Sequence, residues 1–281
     1  MPTQQTITAG VDGSPGSLVA ADWAAGEALR RDLPLRLVHA SEPPGERGRF
    51  DGSGAAARLE TGVLERSVQQ LDRWYPELEI LDEQVTGSPA GALLAAASSS
   101  ALVVIGSHGA GRLTNVMVGS AALAVATRAS CPVALVRAAD TPDGKHQDAA
   151  DRPVVLGLDL DRRGDELLEY AFDAAASRRA PLHVVHVWTA PMTEESEAVD
   201  PMPDKERLMA SELSSWRRKF PETHVDQRLV HDAAGHHLVQ STSTACLLVI
   251  GRLIPTGPHL GETAHAAIHQ ARCPVVIVPH N

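Results

Sequence analysis

The chain repeats itself. ITAGVDGSPGSLVAADWAAGEA from Ile7 is echoed by VVLGLDLDRRGDELLEYAFDAA from Val154, which sets Asp12 against Asp159. LPLRLVHA from Leu33 matches APLHVVHV from Ala180 and sets His39 against His186. VTGSPAGALLAAA from Val85 matches VHDAAGHHLVQST from Val230, and CPVALV from Cys131 matches CPVVIV from Cys273. Four blocks in one order, with an offset that shrinks by a few residues along the chain, mean one fold unit of ~140 residues duplicated with small deletions in the second copy. Whatever the first half folds into must therefore also suit the second. RAADTPDGKHQDAADRP, residues 137–153, is polar and rich in charge, and reads as an exposed linker. The expected domains are 1–138 and 153–281, joined by 139–152. Similar polar stretches from Ser41 and from Thr189 fall at matching places inside the two copies, so they are loops of the unit.

Within each copy, short β-branched apolar runs alternate with longer helical patterns. In the first, TITAGV precedes Ser14-Pro15, an N-cap and first-turn proline that open a helix. LRLVHA, EILDEQV, ALVVI and CPVALV follow as strands, with helices between them, one from about Ala90 and one from Ser120. Five strands alternating with four helices demand crossover connections, hence a parallel sheet covered on both faces. ALVVI and its counterpart CLLVI are continuously apolar, as strands buried on both sides must be. The expected fold class is α/β: two tandem doubly wound domains, each with a five-stranded parallel sheet.

The formal net charge of −10 argues against a nonspecific nucleic-acid or anionic-membrane binder. It leaves room for a small anionic ligand, which backbone amides can hold without basic side chains. The opening MPTQQTITAGVDG has neither a basic start nor an apolar core of an export signal, and no run approaches ~20 apolar residues, so a cytoplasmic protein is expected. Cys131, Cys246 and Cys273 are odd in number and form no C-x-x-C pair; they read as small buried hydrophobes.

Chemistry concentrates in GSHGAGRLTNVMVGSAA, Gly106 to Ala122. In a doubly wound sheet ligands bind beyond the carboxyl ends of the strands where the strand order reverses. Gly106 falls at the end of the fourth strand and Asp12 at the end of the first. GVDGSPGS is not G-x-G-x-x-G, and no G-K-[ST] occurs, so neither a dinucleotide fingerprint nor a Walker-type loop is present. What remains is Gly106-x2-Gly109-x9-Gly119-Ser120.

That pattern, with GVDGS, LRLVHA and CPVALV in order, resembles the universal stress protein family in its tandem, ATP-binding form. The resemblance covers nearly the whole chain. It implies strand order 3-2-1-4-5 in each sheet and an ATP site in the first copy, with Mg²⁺ left open as a companion ion. By that match Gly106 and Gly109 let the loop fold back with its N–H groups near phosphate oxygens. Gly119 leaves space for a phosphate at the start of the next helix, and Ser120 donates its hydroxyl and caps that helix. Asp12 accepts from the ribose or the adenine amino group. Gly10 and Ala40 flank the base, and Ile105 and Ala121 line the pocket. The resemblance also implies that the last strands pair, as an intrachain pseudo-dimer or a homodimer.

The second copy departs from this. After Gly251 the chain reads GRLIPTGPHLGETA, with Ile254 where the first copy has Gly109 and Glu262 where it has Ser120. A carboxylate at a helix start facing a phosphate repels it by ~4 kcal/mol at 4 Å and an effective dielectric near 20. The second copy is therefore expected not to bind ATP in the family's manner, with Glu262 itself on the helix amides. His265 and His269, spaced i and i+4, read as surface residues, and no metal site is expected.

Three functions fit: a stress-response protein whose ATP occupancy sets conformation or partner choice, a slow ATPase or phosphotransferase, and a nucleotide-independent interaction module. No catalytic base stands out in the sequence, so no catalytic residue is assigned and the first reading is preferred.

Overall fold

The computed structural model describes residues 5–41, 53–107, 118–137, 152–162, 164–188, 202–231 and 234–281. The chain divides into two units, Met1–Asp143 and Gly144–Asn281.

The first unit runs β1 (Thr6–Gly10), α1 (Pro15–Arg31), β2 (Leu35–Ser41), α2 (Ser53–Trp74), β3 (Ile80–Thr86), α3 (Pro89–Ala97), β4 (Ser100–Ser107), α4 (Ser120–Arg128) and β5 (Val133–Arg137). Its strands pair in parallel in the order β3-β2-β1-β4-β5. The second unit runs β6 (Val154–Gly157), α5 (Asp165–Arg178), β7 (Leu182–Trp188), α6 (Met202–Lys219), β8 (Val225–His231), α7 (Ala234–Ser241), β9 (Leu247–Leu253), α8 (Glu262–Gln270) and β10 (Val275–His280). Its order, β8-β7-β6-β9-β10, is the same 3-2-1-4-5 arrangement, again parallel. The doubly wound α/β fold expected from the repeat is what the structure shows.

Burial explains the strand composition. Successive residues Ile7, Thr8 and Ala9 are all fully buried, so β1 is covered on both faces. Leu102, Val103 and Val104 in β4, and Leu247, Leu248 and Val249 in β9, are equally enclosed. Each such leucine contributes roughly 1.5–3 kcal/mol relative to an exposed position. With few aromatic residues in the chain, α1 packs on the sheet largely through alanine. Trp23 is the large buried aromatic of α1, and its repeat partner Tyr170 in α5 is buried too. Phe172 of α5 adds contacts with Trp216 and Phe220 of α6, at ring separations of 6.0 and 5.6 Å.

Helix starts follow the local signals. The Ser14 hydroxyl accepts from the Ser17 amide at 3.2 Å, with Pro15 first in α1. Ser88 and Pro89 open α3 in the same way, the Ser88 hydroxyl accepting from the Gly91 amide at 3.2 Å. α1 and α5 both end on a left-handed residue, Asp32 (φ 52°) and Arg179 (φ 51°). They do not begin alike. The repeat sets Arg178 opposite Arg31, yet α5 has 14 residues and α1 has 17, so the second copy lacks the first turn of this helix.

Candidate functional site

The switch point of the first unit lies between β1, β2 and β4. Gly10 is in register with Val38 of β2, and Ala9 with Val104 of β4, so the ends of β1 and β4 border one edge. The structure thus brings Gly10, Asp12, Ile105 and Gly106 to one end of the sheet, with half-buried Ala40 near the end of β2. Gly109 lies outside the described residues, as do His108 and Arg112.

Asp12 makes a turn. Its Oδ1 accepts from the Ser14 amide at 2.9 Å, and its own amide donates to the Ser17 hydroxyl at 3.3 Å. Such an aspartate organises the backbone two residues on. Asp159 repeats this, accepting from the Asp161 amide at 3.0 Å, while its other oxygen meets Arg162 at 3.3 Å. Since both copies keep the turn, the carboxylate is explained first by local structure; the Asp12 side chain is exposed nonetheless and faces solvent at the strand end.

Gly106 has a steric reason to be glycine. A Cβ there would stand 2.5 Å from the carbonyl oxygen of Gly16 and 2.9 Å from the amide nitrogen of Ser17, in the first turn of α1. Gly10 similarly leaves space for Leu93 of α3, whose Cδ1 would lie 3.0 Å from a Cβ. In the second unit Gly157 leaves the same space for Leu238 of α7, at 2.9 Å. The Gly–Leu pair is therefore a packing feature of the repeat.

At the start of α4 the structure corrects the expected capping. Gly119 is the N-cap (φ −60°, ψ 149°), with no side-chain hydrogen bond, and Ser120 is the first helical residue, exposed. Ala121 is half-buried behind it. A serine caps only from the extended residue before the helix, and here glycine occupies that place. Among the described residues the opening amides of α4 thus have no side-chain cap, an arrangement that suits an anion. α8 matches it, with Gly261 as N-cap (φ −63°, ψ 163°) and Glu262 first in the helix. Glu262 is exposed and makes no cap bond, so the expectation that it satisfies the helix amides is also corrected.

Buried histidines support the switch points, a role not read from the sequence. His39 Nδ1 lies 2.7 Å from the Val11 carbonyl, and His186 Nδ1 lies 3.0 Å from the Leu158 carbonyl. A carbonyl only accepts, so Nδ1 of His39 carries the proton and tethers the turn that bears Asp12; His186 Nδ1 lies against both the Leu158 carbonyl and, at 3.4 Å, the Leu160 amide, two contacts with the turn that bears Asp159. The alignment of His39 with His186 was the available signal.

The second unit holds a cavity of about 890 Å³ at its own switch point, between the ends of β6 and β9. Asp159, His186, Lys205, Arg252, Gly261 and His280 are among its walls. Arg162 and Gly164, which precede the shorter α5, line it as well. A Cβ on Gly251 would meet the His280 ring and Leu167, where Gly106 meets helix backbone. Burial pushes the Arg252 pKa below its ordinary value. Among the described residues, no group of three or more metal-type ligands converges. The rings of His265 and His269 lie 4.5 Å apart on α8, tilted by 45°.

The profile of the universal stress protein family matches residues 4–137 and again 152–279. The chain belongs to the universal stress protein family. A universal stress protein of Mycobacterium tuberculosis, Rv2005c, is 30% identical to this family member over 98% of this chain and 97% of its own length. A solved universal stress protein of Archaeoglobus fulgidus has the same fold at TM-score 0.73, with 16% identity and 98% coverage of both chains. A universal stress protein solved in complex with cAMP is 27% identical and covers 48% of this chain, at TM-score 0.37. No described helix is long and apolar enough to cross a membrane.

Proposed function

We propose that this universal stress protein binds ATP in its first unit and that occupancy sets its conformation or choice of partner in a stress response. The observation that carries the reading is the start of α4, where glycine is the N-cap, no side chain among the described residues caps the helix, and an exposed Ser120 stands first. Helix amides and the positive end of the helix dipole are suited to phosphate, and Ser120 adds a hydroxyl donor. The motif Gly106-x2-Gly109-x9-Gly119-Ser120 supports it. In this reading Asp12 accepts from the sugar or the adenine amino group while it holds its turn. Gly10 and Ala40 flank the base in this reading, and Ile105 and Ala121 line its pocket. Mg²⁺ accompanies the triphosphate.

The second unit does not bind ATP in this manner. Glu262 stands where Ser120 does, and a like charge at a helix start opposes a phosphate. Titrating the full chain with Mg·ATP by calorimetry should give one site, abolished by Gly119→Glu. Two equal sites, or a single site untouched by that substitution, would overturn the assignment. Incubating the complex for hours and assaying ADP tests the alternative of a slow ATPase. Two chains associate as a homodimer in this reading, and light scattering should give twice the mass of one chain.

A further inference from the structure

We propose that His265 and His269 of α8 form a chelate for a divalent transition-metal ion of the zinc, nickel or copper type. Neither histidine lines the cavity of the second unit, and the site is independent of ATP binding in the first. Their spacing alone reads as two surface residues; the fold adds how the two rings stand to each other.

Ala264, Ala267 and Ile268 of α8 are buried and hold the helix on its unit, which leaves an outward side. His265 is exposed and His269 half-buried, with ring centres 4.5 Å apart and planes tilted by 45°. Residues four apart are neighbours on one side of a helix. An imidazole nitrogen sits ~2.1 Å from zinc, with the ring centre roughly 1.2 Å beyond it. Two rings on one ion, at angles of about 90–109°, then have centres roughly 4.6–5.3 Å apart. The observed separation lies close to the lower end of that range, so little movement brings both rings onto one ion. Each imidazole has two nitrogens, so a ring that keeps a protein partner at one offers the other, and such a partner orients the ligand.

The first copy is an internal comparison. Leu123 and Thr127 of α4 hold the same two places, one exposed and one half-buried, as in α8. Thr127 turns its hydroxyl back onto the Leu123 carbonyl at 2.9 Å, and leucine has no donor atom for a metal. Only the second copy puts imidazoles on this stripe. Exposed Glu262, three residues before His265, stands where the first copy has Ser120, and a carboxylate one turn away favours a cation. Among the described residues no third histidine, cysteine or carboxylate converges on the pair, so water completes the coordination. Two nitrogen donors suit zinc, nickel or copper, whereas magnesium and calcium require oxygen.

The test titrates the full chain, free of nucleotide, with Zn²⁺ by calorimetry. The tightest site should hold one ion per chain, and excess Mg²⁺ should not displace it. His265→Leu and His269→Thr, which install the first copy's residues, should each weaken that site tenfold or more. Their combination should lose little beyond either alone, because a chelate is broken by removing one arm. Unchanged affinity in either variant, losses that multiply in the double variant, or one ion for every two chains would overturn the proposal. NMR spectra of the parent protein give a measurement that needs no variant. Zn²⁺ should move the ring signals of His265 and His269 together, and a ring left unmoved at saturation of the tightest site refutes the chelate.

Discussion

Gly106 and Gly16 touch backbone to backbone. The end of β4 lies so close to the first turn of α1 that a Cβ on Gly106 would stand 2.5 Å from the Gly16 carbonyl oxygen. Its counterpart Gly251 faces the His280 ring instead, because α5 starts one turn later. One glycine position thus serves a closed strand–helix contact in the first unit and borders a cavity in the second.

Gly106→Ala should therefore be costly. No flexible side chain can yield, so α1 or β4 must shift, at about 2–4 kcal/mol. Gly261→Ser should instead stabilise by a few tenths of a kcal/mol, since nothing lies within 4 Å of a Cβ there and serine is a better N-cap. Urea denaturation of the two variants checks both signs.

Asp12→Asn separates turn from ligand. An asparagine oxygen still accepts from the Ser14 amide, so stability should change by less than about 1 kcal/mol. The lost carboxylate should weaken ATP tenfold or more by calorimetry. Asp159→Asn, the same change in the second copy, should leave ATP affinity unaltered.

The tether from His39 to Val11 predicts a coupled effect. His39→Phe keeps the volume but removes the donor, leaving a buried carbonyl short of a partner at about 1–3 kcal/mol. Because the tethered turn carries Asp12, ATP should also bind more weakly. His186→Phe should cost similar stability without that loss of affinity. Equal ATP binding in both variants would show that His39 does not position the site.

Cys131 is a neutral, shielded thiol, which burial pushes up to about 11. At pH 8 roughly one part in a thousand is thiolate, so alkylation of the folded protein should spare it. The unfolded thiol titrates near pH 8.5 and the native one near 11. Between those values the unfolded state holds fewer protons, and stability falls as pH rises, by up to about 3 kcal/mol. Cys131→Ala should flatten that part of the stability profile, measured by urea denaturation from pH 8 to 11.

Much of this was legible in the linear chain. Hydrophobic runs, Ser-Pro helix starts and the ordered repeat are local signals, and they specified two parallel doubly wound sheets with their strand ends in place. The duplicate also marks Glu262 and the aligned pair His39 and His186. The one-residue shift of the cap from Ser120 to Gly119 was not legible, because capping depends on backbone angles at the loop exit.

Three further points depended on the folded protein. Gly16 and Gly106 lie far apart in sequence, so nothing local foretells their contact. The shortened start of α5 has meaning only against β9 and His280. Arg252 follows Gly251 like any residue at a strand end, and only packing makes it a buried cation in the wall of a cavity. Periodicity determines which elements form, since it acts through neighbours along the chain. Close approach, burial and the placing of charge arise between segments that meet only on folding.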